Sequence, residues 1–169
     1  MGVIDIFISF LLSCQTRCIM GSRGGFMENT SESAQKDLQA ILEKVNIEDA
    51  FAKTVGMRVV ELSPGYAKAL MEITDDHVNV FRMAHGGVIF SVADHACEAA
   101  GNSFGEPAVA IQNNMHFLSP GTPGDRLEAT ARVIHRTRRI GLIEAVVRNQ
   151  HQEILAQCQQ VIYFRGSKA

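Results

Sequence analysis

The arrangement of apolar and polar positions is most unusual from His85 to Asn102, which read HGGVIFSVADHACEAAGN. Taken as a helix, Val88, Ile89, Phe90, Val92, Ala93, Ala96, Cys97, Ala99 and Ala100 go most of the way round. A helix of that kind is buried in a core and does not lie on a surface. Ser91, Asp94, His95 and Glu98 interrupt it, and spacings of three and four put them on a single stripe. The Gly86-Gly87 pair at its start lets backbone come close to a ligand. A buried helix with a carboxylate on one stripe and a glycine-rich opening is a candidate catalytic element.

The remaining segments follow simpler periods. Between residues 34 and 51, Leu38, Ile41, Leu42, Val45 and Phe51 fall near helical spacing, so one helix or two short ones lead in and Gly56 ends them. Residues 57–62 and 66–73, separated by Ser63-Pro64-Gly65, read as a strand hairpin. Residues 75–82 form a polar loop. After a turn over 101–107 come four strand-like runs, 108–118, 126–135, 140–148 and 154–164. In the second of them Leu127, Ala129, Ala131 and Val133 alternate with Glu128, Thr130, Arg132 and Ile134, the mark of a half-buried strand. One long helix followed by consecutive antiparallel strands is an α+β pattern.

Composition narrows the class. The 169 residues suit one domain with a real core, and 46% hydrophobic with 20% charged residues is ordinary for a globular chain. A net charge of -2 gives no overall pull toward nucleic acid, so an anionic ligand must meet local basic groups. Cys14, Cys18, Cys97 and Cys158 show no disulfide framework or paired motif, which fits a cytoplasmic location. Residues 1–26 share no pattern with the rest. Their apolar run over 3–12 is too short to span a bilayer, lacks a basic flank for a secretory signal and carries Asp5. They are read as an extension upstream of the natural start at Met27, leaving 27–169 as a single domain with no membrane partner.

The motif HGGxxFSxxD is preceded by Asn79, six residues before His85, and followed by AVAxxxNMHFLSP and GDRLEATA. Together these resemble the hotdog-fold thioesterases, and within them the group typified by PaaI, the phenylacetate-degradation thioesterase. The resemblance covers roughly residues 47–164. It implies an antiparallel sheet wrapped around one central helix, and hydrolysis of an acyl-CoA thioester with an aromatic or medium-chain acyl group. It also implies a site shared between two chains, with a homodimer as the minimum unit and a homotetramer as the expected assembly.

Asp94 holds the place of the family's catalytic carboxylate, and pattern alone would make it a solvent-facing residue on an amphipathic stripe. Two roles stay open, nucleophile or general base, with the base favoured. Gly86 and Gly87 offer N–H groups at a helix N-terminus, where a developing oxyanion is stabilised, and the resemblance points to Gly86 as donor. Asn79 matches the family's Asn that orients water or substrate, though a lone loop Asn is commonly a turn residue. His85 either fixes its loop through a backbone contact or meets the thioester carbonyl. His95 stands where the family often has a small residue, so its bulk is expected to reshape the acyl pocket.

Arg136, Arg138 and Arg139 are candidates for the CoA phosphates, because an arginine fork suits phosphate. The resemblance also points to Ala110 as a position where some relatives carry a hydroxyl. No metal is expected, since adjacent Asp94 and His95 diverge by about 100° and no common zinc spacing occurs. No cofactor is expected beyond the CoA of the substrate, and Cys97 in its apolar run should be inert. Two rivals remain. One is a non-catalytic acyl-CoA-binding protein on the same scaffold, which has no need of a carboxylate beside a thioester. The other is an enoyl-CoA hydratase, whose Asp and His about five residues apart are missing.

Overall fold

The computed structural model describes residues 28–166, with side chains from residue 35 onward. The reading of 1–26 as an extension, with Cys14 and Cys18, lies outside them. The chain divides into two units, Met1–Glu32 and Ser33–Ala169. The sheet, the central helix and every candidate site residue belong to the second.

Two helices lead in, α1 (Glu28–Glu48) and α2 (Ala50–Val55). Asp49 separates them. Its backbone is extended and its side chain accepts the Ala52 N–H at 2.8 Å, so it caps α2 in the ordinary N-cap manner. Gly56 closes α2 at φ 78°, a left-handed C-cap that glycine adopts without strain.

Six strands follow: β1 (Arg58–Ser63), β2 (Tyr66–Glu72), β3 (Ala108–Phe117), β4 (Arg126–Arg136), β5 (Ile140–Arg148) and β6 (Ile154–Phe164). They form one antiparallel sheet in the order β1-β2-β4-β5-β6-β3. The central helix, α3 (Gly86–Asn102), lies between β2 and β3 in sequence and packs against all six strands. This is the hotdog arrangement, α+β, with one helix enclosed by one sheet.

Why α3 sits so close to the sheet is written in its small residues. Ala93, Ala96, Ala99 and Ala100 on the helix are fully buried, as are Ala67 and Ala69 of β2 and Ala129 and Ala131 of β4. Small side chains on both surfaces bring the backbones together, and larger ones fill the flanks: Ile73, Leu127, Ile143, Leu155 and Phe164. Gly101 and Gly141 mark the tightest approach. A Cβ at either position would lie 2.8 Å from an Ile162 side-chain carbon.

The predicted strands match within a residue or two. The alternation in β4 holds as far as Ile134, which faces outward at 49% exposure, and the register against β5 then shifts at a bulge between Val133 and His135. β3 is an edge strand with only β6 beside it, and Val109, Ile111 and Phe117 on it are about half exposed. The loop predicted over 75–82 contains one 3-10 turn, Asp75–His77.

Candidate active site

The start of α3 is built by its own loop. Asn79 accepts two backbone N–H groups on Oδ1, from Phe81 at 2.9 Å and from Met83 at 3.3 Å. That folds the chain tightly enough to hold Arg82 at φ 61°. The Asn79 oxygen therefore shapes the loop, while its Nδ2 donates to no acceptor among the described residues. His85 is the N-cap of α3, and its Nδ1 accepts the Gly87 N–H at 2.9 Å. An accepting Nδ1 in a neutral ring leaves the proton on Nε2. The structure thus gives His85 the backbone contact, one of the two roles open to it. Gly87 must be small for this cap, because a Cβ there would stand 3.0 Å from His85 Nδ1.

Gly86 is left with a free donor. Its N–H meets no acceptor among the described residues, as expected in the first turn of a helix. The Phe117 ring lies over it, 3.4 Å from where a Cβ would be. Gly86 opens on a depression of about 340 Å³ lined also by Met83, Ala84, Ile89, Phe117 and Leu118.

Asp94 sits eight residues further on. Its Oδ1 accepts two amides, Gln160 Nε2 and, at 3.2 Å, Asn113 Nδ2. Asn113 on β3 and Gln160 on β6 are cross-strand partners, so the sheet register sets the two amides side by side. The Cys158 thiol donates to Asn113 Oδ1 at 3.7 Å, which keeps the Asn113 amide turned with its nitrogen toward Asp94. Gln160 is 1% exposed, so the clamp is anchored in the core. The other oxygen of Asp94 has no partner among the described residues. Asp94 lines a cavity of about 190 Å³ with Glu98, Asn102, Ala110, Gln160 and Ile162. Neither Gln160 nor Asn113 stood out in the sequence; both are ordinary amides on strands, remote from the helix motif.

The two features do not meet within one chain. Eight residues of helix separate Gly86 from Asp94 by roughly 12 Å, and they open on different cavities. The nearby thiol is no rival nucleophile. Cys97 is fully buried, and its hydrogen bond with Cys158, then burial, push its thiol well above the ordinary range.

The polar stripe expected on α3 divides. Ser91 and Asp94 are half-buried and Glu98 reaches solvent, but His95 is 3% exposed and turned to Asp49, with Nδ1 3.5 Å from Oδ2. His95 does not line the Asp94 cavity. Burial lowers its pKa, against the pull of Asp49 and Asp94. Glu98 reaches solvent on one side only; loss of water where it packs, and then the carboxylates of Asp49 and Asp94, raise its pKa.

The three arginines have different surroundings. Arg136 ends β4, pairs with Glu106 at 2.8 Å and stacks its guanidinium on Phe104 and Phe164, 4.1 and 4.5 Å from the ring centres. It is already committed. Arg139 donates to the Tyr163 hydroxyl. Arg138 is exposed and has no partner among the described residues.

Comparison with known proteins agrees with this architecture. Residues 81–156 match the family model described as the thioesterase superfamily. The acyl-coenzyme A thioesterase PaaI of Escherichia coli is 36% identical over 126 residues, covering 75% of this chain and 87% of that protein. The solved E. coli PaaI protein superposes with a TM-score of 0.73 at 34% identity, over 80% of this chain and 96% of that one. A Streptococcus mutans protein, solved bound to acetyl-CoA, gives 0.64 at 26% identity over 67% and 91%. With 36% identity over 126 residues to a thioesterase of the same fold, the chain belongs to the thioesterase superfamily, in its hotdog-fold, PaaI-like group of acyl-CoA thioester hydrolases.

Proposed function

We propose that this protein hydrolyses the thioester of an aromatic or medium-chain acyl-CoA, releasing the carboxylic acid and free CoA. The observation that carries the reading is the amide-clamped Asp94 beside a cavity, on the same helix as an uncommitted N–H at Gly86. Two hydrogen bonds to one oxygen fix the carboxylate's plane and leave the other oxygen to take a proton. Asp94 as general base removes a proton from water while the water oxygen bonds to the thioester carbon. The carbonyl oxygen gains the negative charge, and the Gly86 N–H at the positive end of α3 stabilises it. Collapse re-forms the carbonyl, breaks the C–S bond and expels CoA as the thiolate, which takes the proton that Asp94 removed from water and so returns Asp94 to its carboxylate form. Water is the only co-reactant, so the step needs no cofactor or metal. Asn79 Nδ2, which meets no acceptor among the described residues, orients water or substrate in this reading, and Gly87 and His85 hold the donor loop in shape.

The helix separation supports a site completed by a second chain, Gly86 from one protomer and Asp94 from its partner. Edge strand β3, with its half-exposed Val109, Ile111 and Phe117, is the surface a second copy would cover. A homodimer is then the minimum unit and a homotetramer its doubling. Arg138 and Arg139 are left to meet the CoA phosphates, Arg136 being paired. Cys97 and Cys158, free thiols in contact, suit a reducing cytoplasm. No helix among the described residues is long and apolar enough to cross a membrane.

The test is incubation with a panel of acyl-CoAs, aromatic and aliphatic, with titration of released thiol. Thiol release from aromatic or medium-chain members supports the proposal. Tight CoA binding with no release from any member would make this a binding protein on the same scaffold.

A further inference from the structure

On the side of α3 that faces the lead-in helices, His95 and Glu98 stand three residues apart and so share one helix face. Asp49, the cap of α2, comes to meet them. One donor atom from each of Asp49, His95 and Glu98 lies within 4.8 Å of the other two. His95 is 3% exposed and neither of its ring nitrogens has a hydrogen-bond partner among the described residues. A buried polar ring left in that condition is rare and calls for a ligand. Its Nδ1 points at Asp49 Oδ2, 3.5 Å away. Beside the cluster runs a cleft of about 460 Å³ whose walls carry Glu48, paired with Lys44, Glu106, paired with Arg136, and the carboxylates of Asp49 and Glu98. Asp49 and Glu98 line this cleft, so two of the three donors face it, with the buried His95 ring behind them.

We propose that Asp49, His95 and Glu98 bind a first-row divalent metal ion such as zinc, with water completing its shell on the cleft side. One imidazole and two carboxylates are a normal donor set for such an ion, leaving a position open to solvent. Bonds of about 2.0–2.2 Å would set the donor atoms roughly 3.3 Å apart, so the cluster must tighten by about 1–1.5 Å. The solvent-reaching Glu98 is free to supply most of that. Sequence spacing argued against a metal because it set His95 beside Asp94; the fold gives it two other carboxylates instead.

The site stands independently of the thioesterase reading. It is tested by stripping the full-length protein with a chelator and titrating zinc chloride at neutral pH by calorimetry, with melting temperature read in parallel. One zinc per chain is expected, with a rise of several degrees on binding. Asp49→Asn retains a good helix cap, because asparagine caps as well as aspartate. Glu98→Gln is near-isosteric. Each should weaken binding at least tenfold and abolish the thermal shift, whereas His135→Ala, exposed and outside the cluster, should change neither. Failure of the wild type to take one zinc per chain, or unchanged affinity in either ligand variant, would overturn the proposal.

Discussion

At the scale of single residues, Asp94 was legible because a carboxylate on an otherwise apolar helix is conspicuous, and the motif around it is specific. What holds Asp94 was not. Gln160 lies 66 residues away and Asn113 lies 19 away, and no spacing rule links a helix position to two strand amides. Asp49 and His95 are joined in the same unreadable way, by the docking of a helix cap. Arg136 looked available for phosphate until Glu106 and two phenylalanine rings accounted for it. Two substitutions test the residue-scale reading. Asp94→Asn is nearly isosteric but cannot accept a proton at neutral pH, so hydrolysis should fall below about a tenth of wild type, at least ~1.4 kcal/mol of barrier. A higher residual rate would remove Asp94 from the chemistry. Gln160→Leu keeps the volume and deletes one arm of the clamp. Steady-state kinetics should show kcat down about tenfold with KM nearly unchanged, the signature of lost positioning and not of lost binding. A rise in KM alone would mean that Gln160 contacts substrate instead.

At the scale of elements, the sequence revealed the six strands and the central helix because each keeps its period over nine or more residues or is bounded by turn residues. The all-round apolar character of α3 was the strongest of these signals, and it follows from enclosure by the sheet on which every strand packs. Periodicity could not give the depth of that contact, since alanine and glycine carry little hydrophobic signal yet decide how near two backbones come. Gly141 on β5 tests this. A Cβ there would lie 2.8 and 3.0 Å from Ile162 carbons and 3.2 Å from the Phe164 ring. Both neighbours are at most 2% exposed and have no room to retreat. Overpacking of this kind costs about 1–3 kcal/mol. Gly141→Ala should therefore lower stability in urea despite its smaller unfolded-state entropy, and an unchanged or raised midpoint would show that the sheet and helix give way there.

At the scale of the whole molecule, the proposal of a two-chain site rests on one length. Gly86 and Asp94 are fixed to one rigid helix, roughly 12 Å apart, and a single thioester carbon cannot touch both. That separation was legible in the sequence as soon as the helix was; the separate cavities at the two positions and the half-exposed edge strand β3 are what the structure adds. A subunit-mixing experiment tests the consequence. Gly86→Pro removes the proposed oxyanion donor with little disturbance, because proline is favoured at the first position of a helix. His85 already has φ -65° and ψ 134°, the extended conformation that a residue before proline requires. Gly86→Pro and Asp94→Asn chains should each form nearly inactive homodimers. After equal mixing under conditions that exchange subunits, half the dimers are mixed, and each carries one doubly damaged site and one intact site. Roughly a quarter of wild-type activity should then return. If each site lies within one chain, every site keeps one lesion and exchange restores nothing. Absence of recovery after demonstrated exchange, or full activity from a proven monomer, would place the chemistry inside a single protomer.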